Sequence, residues 1–202
     1  SLTNSANGTS TTPLTGFAAE DNSKHEVNLT KLSANQSVNY VGGSGSDRII
    51  LNDANFNNLK TINGGKYTEG ATGSNFVAGS ARYDTITVVT NGENVVIDGE
   101  DLSKVSNVEG LVLTKNSAAA TYNITLTQAF MNANTESTNN ATNTAINDTV
   151  FQIGTSNAAN NSALGNGDTV TIDIRNLLNA TDNGRATGYT RSFDVTSLIN
   201  AG

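Results

Sequence analysis

The chain has 202 residues, eighteen acidic against eleven basic side chains, a net charge of -7, one proline and no cysteine. That balance offers no basic field to neutralise phosphates, so nucleic acid is not an expected partner, and it excludes disulfide and thiolate-zinc scaffolds. Only 14% of the residues are charged, whereas 31 are Asn and 28 are Thr, a bias toward many short strands separated by polar corners.

No apolar run approaches the roughly 20 residues of a membrane helix, so no membrane insertion is expected. The start lacks the basic and apolar regions of a signal peptide, and Ser1 without a preceding Met reads as a processed or excised fragment. Residues 1–22 are small and polar and predict a linker or loosely attached arm, with a β-rich domain over 23–202.

From Val27 onward brief apolar clusters appear. Val38-Asn39-Tyr40-Val41 leads into Gly42-Gly43-Ser44-Gly45-Ser46-Asp47-Arg48-Ile49-Ile50, which fills every position of the nonapeptide G-G-x-G-x-D-x-U-x, U being a large apolar residue. Glycines permit a sharp turn whose carbonyls converge, an aspartate adds the charge a hard cation favours, and the apolar position begins a strand. Asp47 is therefore a candidate calcium ligand, the plainer alternative being an Asx turn that caps Arg48 to Leu51. The stretch from Gly42 to Gly64 is longer than two regular nonapeptides would occupy, which reads as an enlarged repeat with 53–58 as a bulging corner.

The second Gly-Gly pair reads Gly64-Gly65-Lys66-Tyr67-Thr68-Glu69, with Glu in place of Asp and no third glycine. Gly79-Ser80-Ala81-Arg82-Tyr83-Asp84-Thr85-Ile86-Thr87 keeps a glycine, the aspartate and the apolar position. Asp148 and Asp168 repeat only the Asp-Thr-Val step and are expected to organise turns. Asp47, Asp84, Asp148 and Asp168 are unevenly spaced, so the series has no fixed period.

Strand character recurs in Thr85-Ile86-Thr87-Val88-Val89, which the turn pair Asn91-Gly92 follows, and in Asn94-Val95-Val96-Ile97. It returns around Leu111 and Leu113 and in the alternation of Tyr122, Ile124 and Leu126 with polar neighbours. Residues 132–147 read as a loop insertion. Short helices are expected only at 174–178 and 192–199. The predicted core comprises Ile49, Leu51, Ile86, Val88, Val96, Leu111, Leu113, Ile124, Leu126, Val150, Val170 and Ile172.

Catalytic signals are poor. His25, the only histidine, lies near the polar start and reads as exposed rather than as a general base. Neither H-E-x-x-H nor G-x-S-x-G occurs.

At the nonapeptide the chain resembles the repeats-in-toxin calcium-binding proteins that bacteria export by type I secretion. Asn94-Val95-Val96-Ile97 and Val105 to Thr114 look like the strand-and-corner language of surface-layer proteins and large adhesins in that group. The resemblance implies an all-β fold, an irregular parallel β-solenoid (β-roll-like) with long polar loops; an antiparallel β-sandwich satisfies the same strand signal. It further implies an extracellular, bacterial cell-surface location and calcium held at corners by Gly42, Gly43, Gly45 and Asp47, with Glu69 and Asp84 on neighbouring turns. The expected function is a noncatalytic, self-associating structural component of a surface layer. A module that binds a surface glycan or receptor, and the calcium-binding region of a secreted hydrolase, are the alternatives.

Overall fold

The computed structural model describes residues 2–3, 14–15, 25–31, 38–42, 47–57, 59–65, 84–92, 94–116, 118–134, 150–155, 162–178 and 192–195. The chain travels in successive passes. The first contributes β1 (Leu2–Thr3) and β2 (Leu14–Thr15), and the second β3 (His25–Asn28) and β4 (Val38–Val41). The third holds β5 (Asp47–Asn52), helix α1 (Asp53–Asn57) and β6 (Leu59–Asn63). The fourth runs through β7 (Thr85–Thr90), β8 (Asn94–Ile97), α2 (Gly99–Leu102) and β9 (Val105–Ser106). β10 (Gly110–Lys115), β11 (Thr121–Thr125) and α3 (Gln128–Asn134) form the fifth. The sixth contains β12 (Val150–Thr155), β13 (Ser162–Ala163), β14 (Thr169–Asp173) and α4 (Arg175–Leu178), and β15 (Ser192–Asp194) opens another.

Each pass begins in one large sheet, ordered β1-β3-β5-β7-β10-β12-β15, with β13 set against β10. The chain then crosses to a four-stranded sheet, β2-β4-β6-β9, or a three-stranded one, β14-β11-β8, or visits both. Neighbours pair in parallel throughout these ladders, and among the described strands only β13 runs antiparallel to its partner. The fold is therefore all-β with parallel sheets, and the antiparallel sandwich is overturned. Asn91-Gly92 does not close a hairpin: it carries the chain from the large sheet to the three-stranded one.

The ladder brings residues of similar type into rows although the passes differ in length. Leu2 lies beside Val27, Val27 beside Ile49, Ile49 beside Ile86, Ile86 beside Leu111, and Leu111 beside Ile153. Because side chains alternate across a strand, a second row two positions later, Leu51, Val88 and Leu113, shares the same face. These rows join Tyr40, Ile62, Val105, Val95, Ile97, Tyr122 and Ile124 of the smaller sheets in one core. Full burial of each large aliphatic side chain is worth about 1.5–3 kcal/mol. Phe130 of α3 meets Phe151 of β12 edge to face, with ring centroids 4.8 Å apart. Strands β7 and β10 are buried on both faces, as parallel strands commonly are.

Helices replace strands where a small sheet ends. Sheet β2-β4-β6-β9 stops at β9, and α3 packs there: buried Asn134 donates to Val105 O (3.0 Å) and accepts from Val108 N–H (3.0 Å). One amide side chain thus does what the next strand's backbone would do, and the edge is not left open. At the start of α1, Asn52 of β5 and Asn55 exchange two hydrogen bonds at 2.8 and 3.1 Å, and Phe56 is fully buried.

Several expectations need correction. Residues 53–58 contain a helix rather than a plain bulging corner, and α3 extends through 132–134, the start of the expected loop insertion. The expected helix at 174–178 is present as α4, but 192–194 form β15, paired with β12, and 196–199 lie outside the described residues. Val96 is 47% exposed, not core, while Val170 and Ile172 are partly buried. The Val150 side chain lies outside the described residues. Leu2–Thr3 and Leu14–Thr15, within the expected arm, pair with β3 and β4. Residues 135–147 of the expected insertion, with Asp148, also lie outside the described residues.

Candidate functional site

The nonapeptide lies where the chain leaves β4 and enters β5. At that end of the large sheet a column of polar side chains replaces the apolar row. His25 is in register with Asp47; Asp84 precedes Thr85, the partner of Arg48; Glu109 precedes Gly110, the partner of Thr85. All four stand two positions before Val27, Ile49, Ile86 and Leu111, which puts them on the core-facing side of the sheet.

Hydrogen bonds run down this column from pass to pass. The Asp47 N–H donates to Asp84 Oδ1 at 2.6 Å, and the Asp84 N–H donates to Glu109 Oε2 at 2.7 Å. Each carboxylate thus satisfies a backbone donor on the preceding pass. The Asp84 carbonyl in turn accepts from the N–H groups of Glu109 and Gly110 at 3.0 and 3.2 Å. Asp47 Oδ2 takes the hydroxyl of Tyr40 at 3.0 Å, and Asp47 Oδ1 faces His25 Nδ1 at 2.9 Å. His25 is consequently not the exposed residue expected: its side chain is only 14% exposed and lies against a fully buried carboxylate.

Glycines make room for the carboxylates. A Cβ on Gly42 would collide with Gly64 O and Asp47 Oδ2, and one on Gly64 would collide with Asn107 O and Asp84 Oδ2. The corresponding place on the next pass is filled by Asn107, a left-handed residue (φ 50°) of the type that tolerates this backbone. Its Nδ2 donates to Asn63 Oδ1 at 2.7 Å. Among the described residues the glycine that makes room for Asp84 is therefore Gly64 on the preceding pass; Gly79 of the weakened repeat lies outside the described residues.

Burial dominates the electrostatics. It pushes the Asp84 carboxyl far above the usual aspartate range, and the Glu109 charge adds to the effect, while the hydrogen bond from Asp47 N–H pulls the other way. Burial, reinforced by Asp47, likewise raises the Tyr40 phenol well beyond its ordinary value, so Tyr40 acts as a neutral donor. The balance favours the protonated form of Asp84 over the charged one.

The proposed calcium ligands are brought together only in part. Gly42, Asp47 and Asp84 converge; Gly43, Gly45 and Glu69 lie outside the described residues. A calcium ion needs six to eight oxygen ligands with lone pairs directed at it. The two Asp47 oxygens instead face hydrogen-bonding groups on His25 and Tyr40, and Asp84 Oδ1 faces a backbone N–H. Among the described residues no group of three or more His, Cys, Asp or Glu is arranged to hold a metal ion. In the described part of the corner, Asp47 and Asp84 serve a hydrogen-bonded arrangement.

Nothing in the glycine motif itself singles out Glu109, Tyr40 and His25 as members of this column. A usable signal for His25 and Glu109 is the parity of the sequence, since each, like Asp47 and Asp84, stands two positions before a large aliphatic residue. Asp168 organises a turn as expected, accepting from Ala120 N–H and Gly165 N–H, each at 2.7 Å, and pairing with Lys115 at 2.6 Å. Burial opposes ionisation there, but these partners outweigh it and hold Asp168 below the ordinary range.

Neither family models, nor curated proteins, nor solved structures match this chain.

Proposed function

We propose that the passes close into an irregular parallel β-solenoid and that this chain is noncatalytic structural material of a bacterial surface layer, working outside the cell by association with further copies. The observation that carries the reading is the outward face of the three-stranded sheet. There the rows Asn94/Thr121/Thr169 and Val96/Asn123/Thr171 lie in register across β8, β11 and β14. Asn94, Val96, Thr169 and Thr171 are exposed, and Asn123 Nδ2 donates to Asn94 Oδ1 at 2.7 Å, bracing the array.

Short, uncharged side chains on a regular sheet carry little rotamer entropy, so lateral contact costs little ordering. The same composition disfavours strong attraction to nucleic acid. The corner column supports a structural role as well: its polar groups engage backbone donors and one another within the core.

Sedimentation of the intact chain over a range of concentrations tests the proposal. Reversible association is expected, and replacing both Val96 and Thr171 by Lys abolishes it while leaving the melting temperature unchanged. A chain that stays monomeric at all concentrations overturns the reading. Saturable binding of a surface glycan to the same face, without self-association, replaces it with an adhesin module.

A further inference from the structure

The sequence contains five Asn-Gly pairs, at 7–8, 63–64, 91–92, 166–167 and 183–184, of which the middle three are described. Such a pair is chemically unstable wherever the glycine nitrogen can reach the asparagine side chain. The deprotonated glycine N attacks Asn Cγ, the side-chain nitrogen leaves as ammonia, and a five-membered succinimide forms. Water then opens the ring at either carbonyl, giving aspartate or isoaspartate. The step requires an unhindered glycine N–H and a backbone free to bend.

The three described pairs differ in both respects. Asn63 ends β6; Gly64 N–H is held by Ser106 O at 3.0 Å, and Asn63 Oδ1 accepts from Gly65 N–H and Asn107 Nδ2 at 3.0 and 2.7 Å. Asn91 is exposed, yet Gly92 N–H donates to Thr90 Oγ1 at 3.1 Å and the Asn91 side chain is bonded to Asn116. Asn166 and Gly167 are both exposed in a turn, and Gly167 has φ 92° with open space around its Cβ direction. Among the described residues no hydrogen bond holds the Gly167 N–H.

We propose that Asn166 is a site of spontaneous deamidation in the folded protein, favoured over Asn91 and strongly over Asn63. The location gives the modification a structural effect. Isoaspartate adds a methylene to the backbone inside the turn that Asp168 N–H closes on Gly165 O at 3.0 Å. It also adds a negative charge two positions from the Asp168 carboxylate, which binds Gly165, Ala120 and Lys115. Deamidation therefore loosens the attachment of β14 to the preceding pass.

Incubation of the whole chain at mildly alkaline pH, followed by peptide mapping with an isoaspartate-specific methyltransferase, provides the test. In the folded chain Asn63 modifies at least roughly tenfold more slowly than Asn166, because it waits for local opening. In denaturant the two rates converge, which separates protection by structure from an effect of neighbouring sequence. Asn166→Gln removes the fast product and preserves the melting temperature on ageing, whereas the aged natural chain melts lower. Equal modification of Asn63 and Asn166 in the folded chain, or no product at Asn166, overturns the site. Unchanged melting after full conversion overturns the coupling to Asp168.

Discussion

Two positions apart on the same strands, the large sheet carries two rows that cohere by different means. The row of Val27, Ile49, Ile86, Leu111 and Ile153 is held by burial of aliphatic surface. The column of His25, Asp47, Asp84 and Glu109 is held by hydrogen bonds, in which Asp84 and Glu109 each accept from the backbone N–H of the preceding member. Burial tolerates any well-fitting apolar shape, so that row accepts unequal passes between its members. The polar column has a stricter demand, because a buried carboxylate without donors is costly. Asp47 and Asp84 therefore require glycine at the opposing corner, Gly42 and Gly64, where a Cβ would collide with the carboxylate.

The largest expected effect comes from breaking the apolar row. Ile86 is 2% exposed and lies between Ile49 and Leu111. Ile86→Ala removes buried methylenes and leaves a cavity, costing about 2–5 kcal/mol. Urea titration should show a lower midpoint with an unchanged slope. A loss below that range would mean that the neighbouring passes collapse into the gap and that the row is less rigid than its register implies.

A smaller effect is expected from the donors of the column. Tyr40→Phe keeps the ring but removes the hydroxyl from Asp47 Oδ2, for a loss of about 1 kcal/mol. Chemical denaturation of the two proteins side by side measures it. Calcium sharpens the comparison here. Because the Asp47 oxygens already face His25 and Tyr40, millimolar calcium should leave the melting temperature of the metal-stripped protein unchanged. A calcium-dependent rise that Asp47→Ala eliminates would restore the cation reading of the glycine turn.

These rows also mark how far the sequence is legible. The Asp-x-apolar step places Asp47 and Asp84 in one column, and the alternation around Tyr122 and Ile124 correctly assigns the buried face of β11. The partner of each corner is not legible, because the unequal steps from His25 to Asp47, Asp84 and Glu109 supply no period with which to match Gly64 to Asp84. Val96 is misplaced for a simpler reason: Val95, Val96 and Ile97 are all apolar, so the run has no phase to reveal which face is outward. The helices α1 and α3 escape detection because they are held by tertiary partners, Phe56 and Asn134 in the core, rather than by a run of strong helix formers.

The smallest effect at low pH, and the most diagnostic, belongs to Asp84→Asn. Asp84 and Ile86 sit on one chain segment, so the substitution interrogates the column beside the row that Ile86→Ala interrogates. Burial, then the Glu109 charge, lifts the folded-state value of Asp84 from 3.8 to about 10. The folded protein thus binds this proton more tightly than the unfolded chain does. Its contribution to stability is fully present below the ordinary aspartate value and is lost as pH rises through the interval toward the folded value. Asparagine has no proton to lose, and its Oδ1 can still accept from Asp47 N–H. At pH 4 the variant should lie within about 1 kcal/mol of the natural chain. Between pH 6 and pH 9 the natural chain should lose stability relative to the variant, a difference read by repeating the denaturation series at each pH and comparing the two slopes. Parallel profiles for the two proteins would show that Asp84 ionises without penalty, and that the column tolerates a charge at this buried position.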